Sequence, residues 1–170
     1  TSLVTASESE QIERPDEPWK YPYIAAVFDF GSNIVMDVVI AEKARVGYQL
    51  APKIFINHTN PAVIGFLDEF CRNHGINPRV RERKQNIRLE IAKRDDMNDL
   101  LRLIEPYVIA RYEPLTIILD DLIPGMEDRL QSSEEGFVEL MEYVDQIRET
   151  TKAAKESKYT ADYFRDEFDL

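Results

Sequence analysis

The sequence predicts an α+β fold in which helices alternate with β-hairpins. Four segments between residues 33 and 93 carry β-branched and apolar residues with partial alternation, and the segments around them repeat apolar residues at helical spacing. A chain of 170 residues corresponds to about one domain with a core of its own. We therefore expect a flexible arm at 1–20, a folded domain at 21–156 and an acidic tail at 157–170, the tail being either a short docked helix or an exposed peptide.

The first elements are a short helix and a hairpin. Proline stands at a helix-start position in the segment Pro22–Asp29, and Gly31-Ser32-Asn33 ends that helix. Segments 33–43 and 48–57 are rich in Ile and Val and predict two paired strands. In the first strand, Ile34, Met36, Val38 and Ile40 are predicted to share one face. In the second strand, Leu50, Ile54 and Ile56 face the core, and Gln49, Ala51 and Lys53 face outward.

A second helix and a second hairpin follow. Asn60 and Pro61 form a helix start, and Gly75 is suited to the helix end. Segments 78–84 and 87–93 predict the second hairpin. Arginine recurs with a period of two in the first of these strands, at Arg79, Arg81 and Arg83, which places three guanidiniums on one face. Arg88, in the next strand, points away from the buried face.

The last third of the chain is predicted to be helical. A helix begins at Asp95 or Asp96 and ends near Pro106, and another covers 114–123, closed by Pro124-Gly125. A long helix covers 134–155, with apolar residues on one side. The order is therefore helix, hairpin, helix, hairpin, helices, without a tandem repeat.

Charge is segregated along the chain. The formal net charge is −11, which by itself argues against a nucleic-acid partner. Residues 33–94, however, hold 11 Lys and Arg against 6 Asp and Glu, a net charge of +5, and the remainder carries −16. A cationic middle inside an acidic protein predicts one directional binding surface. Arg outnumbers Lys by 13 to 8, so the acidity fits either a high-salt cytoplasm or an ordinary soluble surface.

Several classes of protein are disfavoured by composition. No apolar run approaches the roughly 18 residues of a membrane-spanning helix, and the polar residues 1–10 do not resemble a signal peptide. Cys71, His58 and His74 show no zinc-ligand spacing, and Cys71 lies in an apolar helical pattern that predicts a core residue. These features predict a cytoplasmic protein without a structural metal.

A motif at the first helix resembles a known family. The run Tyr23-Ile24-Ala25-Ala26-Val27-Phe28-Asp29-Phe30-Gly31-Ser32 is similar to the motif of LAGLIDADG homing endonucleases, in which a helix rich in small residues leads directly into a strand. The order of elements and the run Gln49–Ile56 are also similar, so the resemblance covers about Trp19–Arg111. It implies an αββαββα unit with additional C-terminal helices. A single motif per chain implies a homodimer, with Ala25 and Ala26 at the contact between two motif helices.

The resemblance leaves the chemistry open. In the family, the metal-binding acid is the second acid of the motif. Aligned without gaps, Gly31 occupies that position and Asp29 falls on the first, structural acid. A one-residue deletion would instead make Asp29 the catalytic and metal-binding residue, with Mg²⁺ held beside the scissile phosphate.

The leading hypothesis is therefore a DNA-binding protein with weak or lost nuclease activity. Its predicted contacts are Lys43, Gln49, Lys53, Arg79, Arg81, Arg83 and Arg88, because Arg and Gln offer paired donors to base edges and Lys suits phosphate. The alternative for the arginine stripe is a solvated edge strand protected by its charge. Two further functions stay open: an active Mg²⁺-dependent DNA endonuclease, and a protein-interaction or assembly factor. Double-stranded DNA is the expected partner, with RNA as an alternative.

Overall fold

A four-stranded antiparallel sheet with the order β1-β2-β4-β3 organises the protein. The structure is a computed structural model that describes residues 18–151 and 157–170. Its first elements are α1 (Lys20–Gly31), β1 (Ser32–Ile40), β2 (Tyr48–His58), α2 (Pro61–Asn73), β3 (Arg79–Glu82), β4 (Ile87–Ile91) and α3 (Arg94–Ile104). The predicted α+β class and the αββαββα order are confirmed. The arm predicted at 1–20 falls almost entirely outside the described residues.

The C-terminal elements are helical. They are a 3₁₀ turn (Glu105–Tyr107), α4 (Tyr112–Ile117), a π-helical segment (Ile118–Leu122), α5 (Ile123–Glu127), a second 3₁₀ turn (Leu130–Ser132), α6 (Glu134–Thr150) and α7 (Ala161–Glu167). None of the helices in the described ranges combines the length and the apolar composition that crossing a bilayer requires.

One face of the sheet builds the core. The buried strand residues are Met36, Leu50, Ile54, Ile56, Leu89 and Ile91, and α1 and α2 pack against them with Ile24, Phe28, Ile64 and Leu67. The inward positions predicted for β2 are confirmed. Ile40 lies on the same face of β1 as Met36 and Val38, as predicted, but its side chain is 71% exposed at the last position of the strand, where the chain enters the turn at 41–47.

Helix α1 leads into β1 without a loop. Ser32 is buried, and its backbone N–H and its hydroxyl both donate to the carbonyl of Phe28, the hydroxyl at 2.6 Å. Helix α2 begins as predicted, since the side chain of Asn60 accepts from the N–H of Ala62 at 2.9 Å and Pro61 follows. After α2, Gly75 takes a φ of +74°, which glycine adopts without strain.

Helix α4 does not end where proline and glycine predict. The chain stays helical to Glu127 because the π-helical segment precedes Pro124, and in that segment the N–H of Ile123 donates to the carbonyl of Ile118. The wider π-helical turn shifts the pattern of backbone hydrogen bonds just before Pro124, which has no N–H to donate. Gly125 is buried, and a Cβ there would stand 2.9 Å from the side chain of Leu130. Close packing therefore explains this glycine.

The acidic tail is a docked helix, the first of the two predicted alternatives. Thr160 caps α7 through its hydroxyl, and the carboxylate of Asp145 on α6 accepts from the N–H of Ala161 at 3.0 Å. Phe164 has no exposed surface and packs edge-to-face on Tyr48 and Phe137, with ring centroids 4.9 Å apart in both pairs. Residues 157–170 therefore share the core of the protein.

Candidate nucleic-acid interface

The face of the sheet turned away from the core presents polar and cationic side chains in register. One row crosses β2, β4 and β3 through Asn57, Arg88 and Arg81. The neighbouring row crosses all four strands through Asn33, Phe55, Glu90 and Arg79. We name this surface the open face of the sheet. Its side chains share an orientation because paired residues of an antiparallel sheet point to the same side.

Five of the seven predicted nucleic-acid contacts lie on strands and belong to the open face. They are Gln49, Lys53, Arg79, Arg81 and Arg88. The other two lie beside it and not on a strand. Lys43 follows the end of β1 in the turn at 41–47, and Arg83 follows the end of β3, with its N–H donating to the carbonyl of Asn86 at 2.8 Å. The predicted stripe of three arginines on one strand is corrected to two, because the turn of the hairpin begins after Glu82.

Among the residues that the structure describes, the arginines of this region have no carboxylate partner. In the described part of the chain, ion pairs hold Arg72, Arg102, Arg148 and Arg165, and Lys53 lies 3.9 Å from Asp37. Arg79, Arg81, Arg83 and Arg88 form no ion pair with a carboxylate in the same described ranges. Desolvation, followed by the positive charge of Arg83, lowers the pKa of Arg88. This part of the surface therefore attracts anions.

Arg88 is held in place by two neighbours that the sequence did not single out. Its Nε donates to Oδ1 of Asn57 at 2.9 Å, and its guanidinium carbon lies 4.3 Å from the centre of the Phe55 ring. Both neighbours continue the outward alternation of Gln49 and Lys53 along β2. Period two alone could therefore have placed them on the open face.

A second surface on α1 is apolar and exposed. Ala26 is exposed, Tyr23 is 44% exposed and Phe30 is 88% exposed. The loop after α3 lies beside the end of the helix and adds Ile109, which is 84% exposed. Large exposed apolar patches mark interaction sites on soluble proteins. Ala25, the other residue predicted at the contact, has no exposed surface and packs inside its own chain.

Asp29 has a structural role at the end of α1. Its two carboxylate oxygens accept from the N–H of Ile109 at 2.9 Å and from the N–H of Arg111 at 3.0 Å. The carboxylate therefore fastens the loop after α3 to the motif helix and stands at the start of α4. This geometry supports the ungapped alignment, in which Asp29 is the structural acid.

The residues around Asp29 do not fit a divalent metal. Gly31 is exposed and has no side chain, so the alignment's second acid position offers no carboxylate ligand. No group of three or more His, Cys, Asp or Glu residues that could hold a metal ion exists within 18–151 and 157–170. Mg²⁺ needs carboxylate oxygens at close range, and both oxygens of Asp29 already accept backbone hydrogen bonds.

A cleft of about 950 Å³ runs along the outer edge of β1, from Asp29 to the segment after α6. Arg111 lines it near Asp29, and its Nε donates to the backbone carbonyl of Asp29 at 3.3 Å. Arg148 lines the far end and donates to the carbonyl of Met36 at 2.8 Å, which covers part of the strand edge. Arg111 bonds to a residue 82 positions earlier in the chain, and Arg148 to one 112 positions earlier. No local pattern in the sequence predicts these contacts.

The fold is that of the LAGLIDADG homing endonucleases. The archaeal intron-encoded homing endonuclease I-Vdi141I, in complex with DNA, is 15% identical and has a TM-score of 0.78, with 91% of this chain and 97% of that chain covered. The homing endonuclease I-CvuI, bound to DNA in the presence of 2 mM Mg, is 14% identical with a TM-score of 0.76, covering 87% and 91% of the two chains.

A longer relative of this fold is matched over half its length. The LAGLIDADG meganuclease I-CpaMI, bound to uncleaved DNA, has a TM-score of 0.66 at 12% identity, with 87% of this chain and 47% of that chain covered. No protein-family model and no curated protein sequence matches the chain. The expected resemblance is therefore confirmed at the level of the fold, and the described chain corresponds to one αββαββα unit.

Proposed function

We propose that this protein is a double-stranded-DNA-binding homodimer that does not cleave its target. The open face of the sheet carries the proposal, because Arg79, Arg81 and Arg88 present guanidiniums there without carboxylate partners in the described ranges. Gln49 and Lys53 extend the same face toward the tip of the first hairpin. Arg and Gln can donate paired hydrogen bonds to base edges, and Lys to phosphate.

Homodimer formation is proposed through the exposed face of α1. Phe30 and Ile109 expose most of their apolar surface, and Ala26 between Tyr23 and Phe30 leaves room for a second helix to approach. Two copies related by twofold symmetry would bury the same patch against itself. Structures of the same fold are matched either over almost their full length or over about half of it. This supports pairing of two single units.

Loss of cleavage is proposed because the motif lacks one of the carboxylates that would hold a divalent cation. Phosphodiester hydrolysis by this fold requires an acid that holds a divalent cation, and glycine occupies the aligned position. Similar proteins are solved with Mg or Ca, so an active nuclease is the alternative function. In that alternative, Asp29 would hold the metal with the lone pairs that its two backbone hydrogen bonds leave free.

Duplex retention and cleavage, measured on the same preparation, test the proposal. We expect the protein to retard random-sequence duplex at low salt and to leave supercoiled DNA intact in Mg²⁺ and in EDTA alike. Arg81→Glu should weaken retardation by at least about tenfold, because one attractive contact becomes a repulsion. Arg72→Glu is the matched control, since Arg72 lies on α2 and pairs with Asp68, and it should leave retardation unchanged.

The outcomes separate the candidate functions. If the wild type cuts DNA in Mg²⁺ but not in EDTA, and Asp29→Asn abolishes the cutting, the protein is an active nuclease. Retention of single-stranded or duplex RNA in preference to DNA would change the partner class. Failure to retain any nucleic acid across a salt series would leave the protein-interaction function. The site has space for a side chain at position 31. Cleavage by Gly31→Asp but not by the wild type would therefore show that the wild type does not cleave because it lacks this acid.

A further inference from the structure

We propose that Arg88 reads a guanine in the major groove of the bound duplex, and that Asn57 and Phe55 are the positioning residues that aim it. This inference rests on the proposed DNA-binding function and names one of its specificity determinants. It concerns the inner strand β4, which lies between β2 and β3 in the sheet. Arg88 therefore has a hydrogen-bonded strand on each side, with Asn57 opposite it on β2 and Arg81 opposite it on β3.

Fixed geometry distinguishes Arg88 from the other arginines of the open face. The bond from its Nε to Asn57 restrains the plane of the guanidinium, and the Phe55 ring supports one face of that plane at 4.3 Å. The side chain of Arg88 is half-buried, while Arg79, Arg81 and Arg83 are exposed. A long side chain that is already ordered loses less conformational entropy when it binds.

The remaining donors of Arg88 define the ligand chemistry. Asn57 accepts from the single N–H of Nε, and the four N–H groups on the two Nη atoms meet no acceptor among the described residues, so they remain for a ligand. A pair of parallel donors matches the O6 and N7 acceptors that guanine presents in the major groove. Adenine and cytosine present a donor at the corresponding edge, which a guanidinium repels, and thymine presents a single acceptor, O4, beside its methyl group. The Arg88 site therefore selects guanine.

Charge around Arg88 favours an electron-rich partner. Arg81 lies directly opposite it on β3, and Arg83 contributes a further positive charge. No carboxylate of the described ranges forms an ion pair with Arg88, and Glu90 occupies the adjacent row beside Arg79. Nearby phosphates would meet the exposed Arg81 and Arg83 first, which leaves Arg88 to the base edge between them.

Selection from a random duplex library, followed by competition binding, tests this inference. We expect the wild-type pool to hold guanine at one fixed position of each half-site. Arg88→Lys keeps the positive charge but loses the pair of parallel N–H donors. The preference for guanine at that position should therefore fall roughly 10- to 100-fold. Its affinity for unselected duplex should stay within about threefold of wild type. Asn57→Ala should give a smaller loss at the same position.

Arg72→Lys is the matched control, because it makes the same exchange on α2, away from the open face, and its selected sequences should equal those of the wild type. Thermal melting of each variant confirms that it is folded. A guanine preference that survives Arg88→Lys overturns the inference and leaves DNA binding intact. A uniform loss of affinity for every sequence also overturns it, since that result identifies a phosphate contact. Absence of wild-type binding to any duplex removes the proposed function and this inference with it.

Discussion

The role of a single side chain in this protein depends on its hydrogen-bond partners. Asp29 is acidic and belongs to a nuclease-like motif, yet both of its oxygens accept backbone N–H groups. Arg148 is half-buried because it donates to the carbonyls of Met36 and Tyr159. Arg88, by contrast, bonds through Nε alone within residues 18–151 and 157–170. Residue type alone does not separate these roles, and the hydrogen-bond partners do.

Replacing Asp29 should lower stability and leave binding intact. Asp29→Asn keeps one acceptor oxygen and loses the charge, so we expect the free energy of unfolding to fall by about 1–3 kcal/mol. Urea denaturation measures this change. Asp120→Asn is the control, because Asp120 is an exposed carboxylate 3.7 Å from Arg102, and its effect should stay within about 0.5 kcal/mol. Equal effects of the two substitutions would contradict the structural role of Asp29.

Cys71 should be inert in the folded protein. Burial raises the pKa of its thiol to about 12, with the negative charges of Asp68 and Asp96 adding to the effect. At pH 8 the thiolate is therefore scarce, and a thiol-specific reagent cannot reach the sulfur. We expect no modification in the native state and one equivalent after unfolding in guanidinium chloride. Rapid labelling of the native protein at pH 8 would show that α2 opens.

At the scale of elements, each helix is placed by an apolar face and a defined end. Helix α6 buries Phe137, Leu140, Met141 and Val144, and α7 closes over it through Phe164. The π-helical segment before Pro124 carries the helical path past a residue that ends most helices. Tertiary packing of Gly125 against Leu130 and Leu140 stabilises this continuation.

The docking of α7 has a testable energetic consequence. Phe164→Ala removes a fully buried ring from the aromatic cluster around Tyr48 and Phe137, so we expect a loss of about 3–5 kcal/mol in the free energy of unfolding. Chemical denaturation of the variant measures it. Leu170→Ala changes a side chain that is 51% exposed, and it should cost less than about 0.5 kcal/mol. A cost below 1 kcal/mol for Phe164→Ala would show that α7 is detached in solution.

For the whole molecule, two surfaces have separate tasks in the proposed function. The open face of the sheet carries guanidiniums without a carboxylate partner in the described part of the chain, and the exposed face of α1 carries Phe30 beside Ile109. The formal charge of −11 belongs largely to the remaining surface. Because opposite charges are segregated, an acidic protein can present a local attractive field to DNA.

Dimerisation should depend on the exposed aromatic residue at the end of α1. Phe30→Glu places a charge in the proposed contact, so the dimer dissociation constant should rise by at least about 30-fold, as measured by analytical ultracentrifugation. Ile40→Glu is the control, since Ile40 is also exposed but lies at the end of β1, and this variant should remain dimeric. A wild-type protein that is monomeric at high concentration would refute the homodimer.

The sequence by itself determined the class of the fold and the direction of most strand residues. Alternation in β2 predicts its buried side chains, and the arginines of β3 show a cationic face, because these patterns depend on residues two positions apart. Only the tertiary structure decided that Ala25 is buried, that Asp29 fastens a loop 80 residues away, and that Asn57 and Phe55 hold Arg88. Those contacts join distant parts of the chain, and local sequence patterns carry no record of which distant groups meet.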